Sequence, residues 1–110
     1  MKRSVRLGVS LLSLLASASV SAEGIKVLIA SYGENCGVPA GNVTYEVKRQ
    51  CDGTETCRYH IDVSTLGDPR YGCEKNYIVQ YACSKDQSEV KTHYLRAEAN
   101  GKTTLLSCKD

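Results

Sequence analysis

The chain has 110 residues, with 14 Lys and Arg against 12 Asp and Glu, six Cys, seven Tyr and neither Trp nor Phe. That length holds one small domain and leaves no room for a second core. Its slight basic surplus is concentrated in the first residues (Lys2, Arg3, Arg6), so the rest is near neutral and lacks the positive field that a nucleic-acid partner requires.

Residues 1–22 have the profile of a signal peptide: the basic start, an apolar run from Leu7 to Leu15, then small residues ending in Val20-Ser21-Ala22. Cleavage after Ala22 is expected, leaving Glu23 to Asp110 with eleven basic and twelve acidic side chains. No later apolar stretch approaches the roughly 20 residues of a membrane-spanning helix. The mature protein is therefore expected to have no membrane span and to be secreted or periplasmic.

Ile25 to Ser31 is rich in β-branched and aliphatic residues and reads as a buried strand, followed by a loop from Gly33 to Gly41. Asn42 to Gln50 is ambiguous. Val43, Tyr45 and Val47 alternate as in a strand, while Val43, Val47 and Cys51 fall on one helical face. Asn42 as N-cap and Glu46 in the first turn favour a short helix. Cys57 to Val63 alternates as a half-solvated strand, Gly67-Asp68-Pro69 ends that region, and Asn76 to Cys83 reads as a central strand. Ser84 to Ser88 is a polar turn. Val90 to Ala97 and Thr103 to Cys108 flank Asn100-Gly101, which predicts a C-terminal β-hairpin. The pattern is that of one mostly antiparallel β domain.

All six cysteines (Cys36, Cys51, Cys57, Cys73, Cys83, Cys108) lie after the leader, which reads as a disulfide framework in an exported chain. A zinc site is the alternative, but the closest pair, Cys51 and Cys57, is spaced more widely than structural zinc prefers. Spacing alone does not choose among the pairings, although Asp52-Gly53-Thr54 is a turn that brings Cys51 and Cys57 together.

The order of short elements is more specific than any one of them. An aliphatic strand ending in Tyr32-Gly33 is followed by Cys51-Asp52-Gly53-x3-Cys57, Gly67-Asp68-Pro69, Gly72-x2-Lys75-x-Tyr77 and Tyr81-x-Cys83. This order resembles the rhamnose/galactose-binding lectin domain of the sea urchin egg lectin type, over Lys26 to Cys83. The resemblance implies an α+β, mostly β fold: a small disulfide-rich antiparallel β-sandwich with one or two short helices, one of them just before the Cys51–Cys57 element. In the family a strand running from Glu-Gly to Leu-x-Cys precedes the Tyr-Gly strand. Here the similar stretch is Asn100-Gly101 through Leu106-Ser107-Cys108, as in a circular permutation. Bridges similar to the family's would be Cys51–Cys57, Cys36–Cys73 and Cys83–Cys108.

Carried over residue by residue, the resemblance implies a sugar site. Asp68 would accept from two neighbouring hydroxyls and Lys75 would donate to them. Tyr32 would offer a ring face or hydroxyl at the edge, Gly72 would let backbone approach closely, and Asn100 stands where the family has a glutamate. The family's Tyr-Gly-Arg is Tyr32-Gly33-Glu34 here, and its Asp-Pro-Cys is Asp68-Pro69-Arg70.

Each residue also has a plainer reading. Asp68 fits a turn residue, Lys75 a solvated strand-edge charge, and Tyr32, Tyr77 and Tyr81 core packing. His60 and His93 read as surface residues, and no metal or other cofactor is expected. Asp62, Asp68 and Glu74 are the carboxylates a glycoside hydrolase would draw on, but a chain this short offers little cleft and no enzyme is expected. Asn42-Val43-Thr44 fits a glycosylation acceptor. The expected function is a non-enzymatic carbohydrate-binding domain for a neutral glycan sugar. The alternative is an exported protein-interaction module with an extracellular or periplasmic protein partner, such as an inhibitor of a secreted hydrolase, presenting the Gly33 to Gly41 loop.

Overall fold

A computed structural model of the protein describes residues 24–84 and 86–109, so the expected leader lies outside the described residues. Strand β1 (Ile25–Tyr32) pairs antiparallel with β3 (Tyr77–Cys83), from Ile25 opposite Cys83 to Tyr32 opposite Tyr77. The sheet continues antiparallel into β4 (Asp86–Leu95) in the order β1-β3-β4. A second sheet pairs β2 (Thr56–His60) with β5 (Thr103–Ser107), again antiparallel. Val27, Val79 and Tyr81 of the first sheet share one core with Tyr59 and Leu106 of the second. The Tyr59 ring stacks on Tyr77 with centroids 6.1 Å apart, and the Tyr81 hydroxyl accepts from Ser107 N at 3.1 Å. The fold is thus mostly β, with two antiparallel sheets and short helices.

Helix α1 (Thr44–Cys51) buries Val47 and Cys51 and packs on β1. Its Ncap is Val43, not Asn42. Asn42 instead grips Tyr32, its Oδ1 accepting from the Tyr32 amide at 2.8 Å and its Nδ2 donating to the Tyr32 carbonyl at 3.0 Å. Two such backbone partners outweigh one local cap. The grip repeats along the strand. Thr44 Oγ1 accepts from Ala30 N at 2.9 Å, Asp52 Oδ1 accepts from Val27 N at 2.8 Å, and Lys48 Nζ donates to the Val27 carbonyl at 3.1 Å. The open edge of β1 is therefore satisfied largely by side chains, with no neighbouring strand among the described residues. Both polar residues of the expected glycosylation acceptor, Asn42 and Thr44, are engaged in this grip.

The C-terminal hairpin does not form. Asn100-Gly101 is a turn, with Lys102 N donating to the Ala99 carbonyl at 3.0 Å, but β4 pairs with β3 and β5 pairs with β2. The Ser84 to Ser88 stretch is shorter as a turn than expected, because β4 already begins at Asp86. The strand expected to reach Val63 ends at His60. Asp62 then caps helix α2 (Val63–Leu66), its Oδ1 accepting from Ser64 N at 2.9 Å.

The bridges are Cys36–Cys73, Cys51–Cys57 and Cys83–Cys108, the set implied by the resemblance. All five strands run between two ends of the molecule. At one end lie Gly24, Ser84 and two bridges, Cys51–Cys57 and Cys83–Cys108; Ser84 N donates to the Gly24 carbonyl at 2.7 Å. At the other lie Tyr32, Tyr77, His60 and Thr103, with the Cys36–Cys73 bridge beyond them.

Candidate functional site

That second end holds an open cavity of about 310 Å³ lined by Tyr32, Val63, Asp68, Gly72, Cys73, Glu74, Lys75, Glu98 and Asn100. All five candidate residues (Tyr32, Asp68, Gly72, Lys75, Asn100) are on its wall. They arrive from the end of β1, the loop after α2, the approach to β3 and the turn before β5.

Local chemistry fixes each segment. The loop from Gly33 is held to the approach of β3 by the Cys36–Cys73 bridge and by two asparagines. Asn35 Oδ1 accepts from Asn76 N at 2.9 Å, and Asn35 Nδ2 donates to the Glu74 carbonyl at 2.9 Å. Gly33 has φ +101°, and a Cβ there would lie 3.0 Å from Val38 Cγ2 and 3.2 Å from Lys75 Cδ. Gly72 has φ +85°, but a Cβ there would meet nothing within 4 Å. Its glycine serves the left-handed backbone of the turn, and the expected close backbone approach is not what demands it. Asn100 Oδ1 accepts from Val63 N at 2.8 Å, tying the last turn to α2 and leaving its amide NH₂ without a partner among the described residues.

Lys75 is not the solvated edge charge its position suggests; it is only 4% exposed. Its ammonium donates to Asp68 Oδ1 at 2.9 Å, to the Cys73 carbonyl at 2.7 Å and to the Arg70 carbonyl at 3.2 Å, and lies 5.6 Å from the Tyr32 ring centroid. An ammonium has three N–H groups, so all are occupied. Lys75 therefore organises the Asp68 loop, and it can donate to a ligand only by releasing one of these partners.

Asp68 is placed as a turn residue and leaves one carboxylate oxygen open. Its Oδ1 takes Lys75 and, at 3.3 Å, Arg70 N, as a turn residue does, while Oδ2 is left as a free acceptor among the described residues. The Lys75 hydrogen bond holds its carboxyl below the usual aspartate range. Tyr32 is buried and its hydroxyl has no partner among the described residues. Burial, then the charges of Glu98 and Asp68, push that phenol up, so it stays a neutral donor.

Glu98 and Val63 are wall residues that sequence reasoning missed. Glu98 stands two residues before Asn100, and its Oε2 accepts from Asn100 N at 3.2 Å. Its nearness to the Asn-Gly turn was the one available signal. Of the carboxylates considered for hydrolysis, Glu74 and Asp68 reach the wall, whereas Asp62 is used as the α2 cap. Arg70 is not on the wall; its Nη2 lies 3.6 Å from where a Gly37 Cβ would be. His93 is half-buried rather than on the surface, edge-on to Tyr81 with centroids 5.4 Å apart. No protein-family model, curated protein or solved structure matches the chain.

Proposed function

We propose that this is an exported, non-enzymatic carbohydrate-recognition domain that holds one pyranose in the cavity at the Cys36–Cys73 end. One observation carries the reading: Tyr32, the segment holding Asp68, Gly72 and Lys75, and Asn100, three separate stretches of the chain, line the same cavity of about 310 Å³. A sugar hydroxyl must exchange its water bonds for equally good protein ones, which favours convergent polar groups on a rigid wall. Asp68 Oδ2 is the acceptor for paired hydroxyls, the Asn100 amide a donor, and Lys75 the residue that fixes Asp68 in place. The order of motifs shared with rhamnose/galactose-binding lectins nominates rhamnose and galactose. The signal-peptide profile and the three disulfides support export.

The test is an NMR titration of the oxidised protein with L-rhamnose and D-galactose, with D-glucose as control. Saturable shifts concentrated on Tyr32, Asp68 and Asn100, and abolished in a folded Asp68→Asn variant, are expected. A folded protein that shifts with none of these sugars overturns the reading.

A further inference from the structure

Among the described residues the cavity is lined by three acidic residues, Asp68, Glu74 and Glu98, against one basic residue, Lys75. The Lys75 ammonium is consumed: its three donors end on Asp68 Oδ1 and two backbone carbonyls. The rest of the lining is rich in acceptors, Asp68 Oδ2 and the acidic residues Glu98 and Glu74, and among the described residues the Asn100 amide and the Tyr32 hydroxyl are the side-chain donors left without a partner. The Tyr32 hydroxyl, buried at this wall and without a partner among the described residues, lies within the fields of Glu98 and Asp68. We infer that the cavity selects by charge, taking a pyranose that bears a free ammonium more tightly than its neutral parent and refusing the corresponding uronic acid.

This rests on the sugar-site reading and adds ligand class to it. An ammonium supplies three donors and a positive charge to a wall whose acceptors outnumber its open donors and whose one ammonium among the described residues is already engaged, whereas a ligand carboxylate meets like charge. Because the cavity is open, water moderates the pairing, and an advantage of about fivefold is expected.

The experiment is the same titration run as two charge series, D-galactose with D-galactosamine and D-galacturonate, and D-glucose with D-glucosamine and D-glucuronate. Mildly acidic pH keeps the amines protonated while Asp68 remains ionised. Tighter binding of an amino sugar than of its parent, with the uronate weakest, supports the inference. So does loss of that advantage at high salt and in Glu98→Gln. Equal affinities for amino and neutral sugars, or binding of a uronate as tight as its parent, overturn the inference and leave the sugar site standing. Silence from both series, with the fold intact, overturns both.

Discussion

At the scale of single residues, the cavity end depends on a few side chains that do two jobs. The Lys75 ammonium makes the Asp68 carboxyl harder to protonate in the folded chain than in the unfolded one. Asp62, hydrogen-bonded by Ser64, is lowered in the same direction. A lowered carboxyl contributes stability that is complete above the unfolded value, about pH 4, and is lost as pH falls through the lower folded value. Carbon-detected NMR should therefore find the Asp68 carboxyl titrating below an ordinary aspartate. Lys75→Met should return it to the ordinary range, and a midpoint unmoved by that change would discard the pairing. Gly33→Ala forces a side chain into positive φ and against Val38 and Lys75, so chemical denaturation should report a loss of about 2 kcal/mol. Gly72→Ala, with open space around its Cβ, carries the backbone strain without the clash and should lose less.

At the scale of elements, β1 shows how side chains finish a sheet. Its free edge is gripped by Asn42, Thr44, Lys48 and Asp52, all from one short stretch at and within α1. Asn42→Ala removes both bonds to Tyr32 and should lower stability by about 1–2 kcal/mol. Hydrogen exchange at the Tyr32 amide should speed up in that variant, and an unchanged rate would mean the grip is not maintained in solution. This element also shows what the sequence could not display. Asn42 looks like a cap because capping is local, and its real partner is ten residues away. The Asn100-Gly101 turn was legible, since its chemistry is local and Gly101 does take φ +92°. The pairing around it was not. The β3 edge was already open to β4, and β5 was free to take β2, a choice made by long-range packing. Lys75 misled for a related reason, because the carbonyls that bury its ammonium belong to loop backbone that no pattern reveals. The candidate site was legible because its residues sit in short ordered motifs; Glu98 was not because it sits in none.

At the scale of the whole molecule, the three bridges have sequence separations of 37, 6 and 25 residues. In the loop-entropy model they contribute roughly 4, 2 and 3.5 kcal/mol, comparable to the entire stability of a small domain. Replacing Cys36 and Cys73 together by Ala should therefore lower stability by up to about 4 kcal/mol. Faster hydrogen exchange should be confined to the loops around the cavity, with the β3 amides still protected. Loss of protection in β3 would show that this bridge holds the core as well as the site. The strands run lengthwise between the two ends, and the eight residues of β1 separate Gly24 from Tyr32 by about 25 Å. Lys109, one residue past the Cys83–Cys108 bridge, lies at the same end as Gly24. A bead, a surface or a second domain joined at Gly24 or Lys109 would thus sit at the end of the molecule opposite the cavity. Copies attached in that way would keep their point of attachment away from the cavity end, which is what the proposed sugar contacts, if individually weak, would need in order to add by avidity.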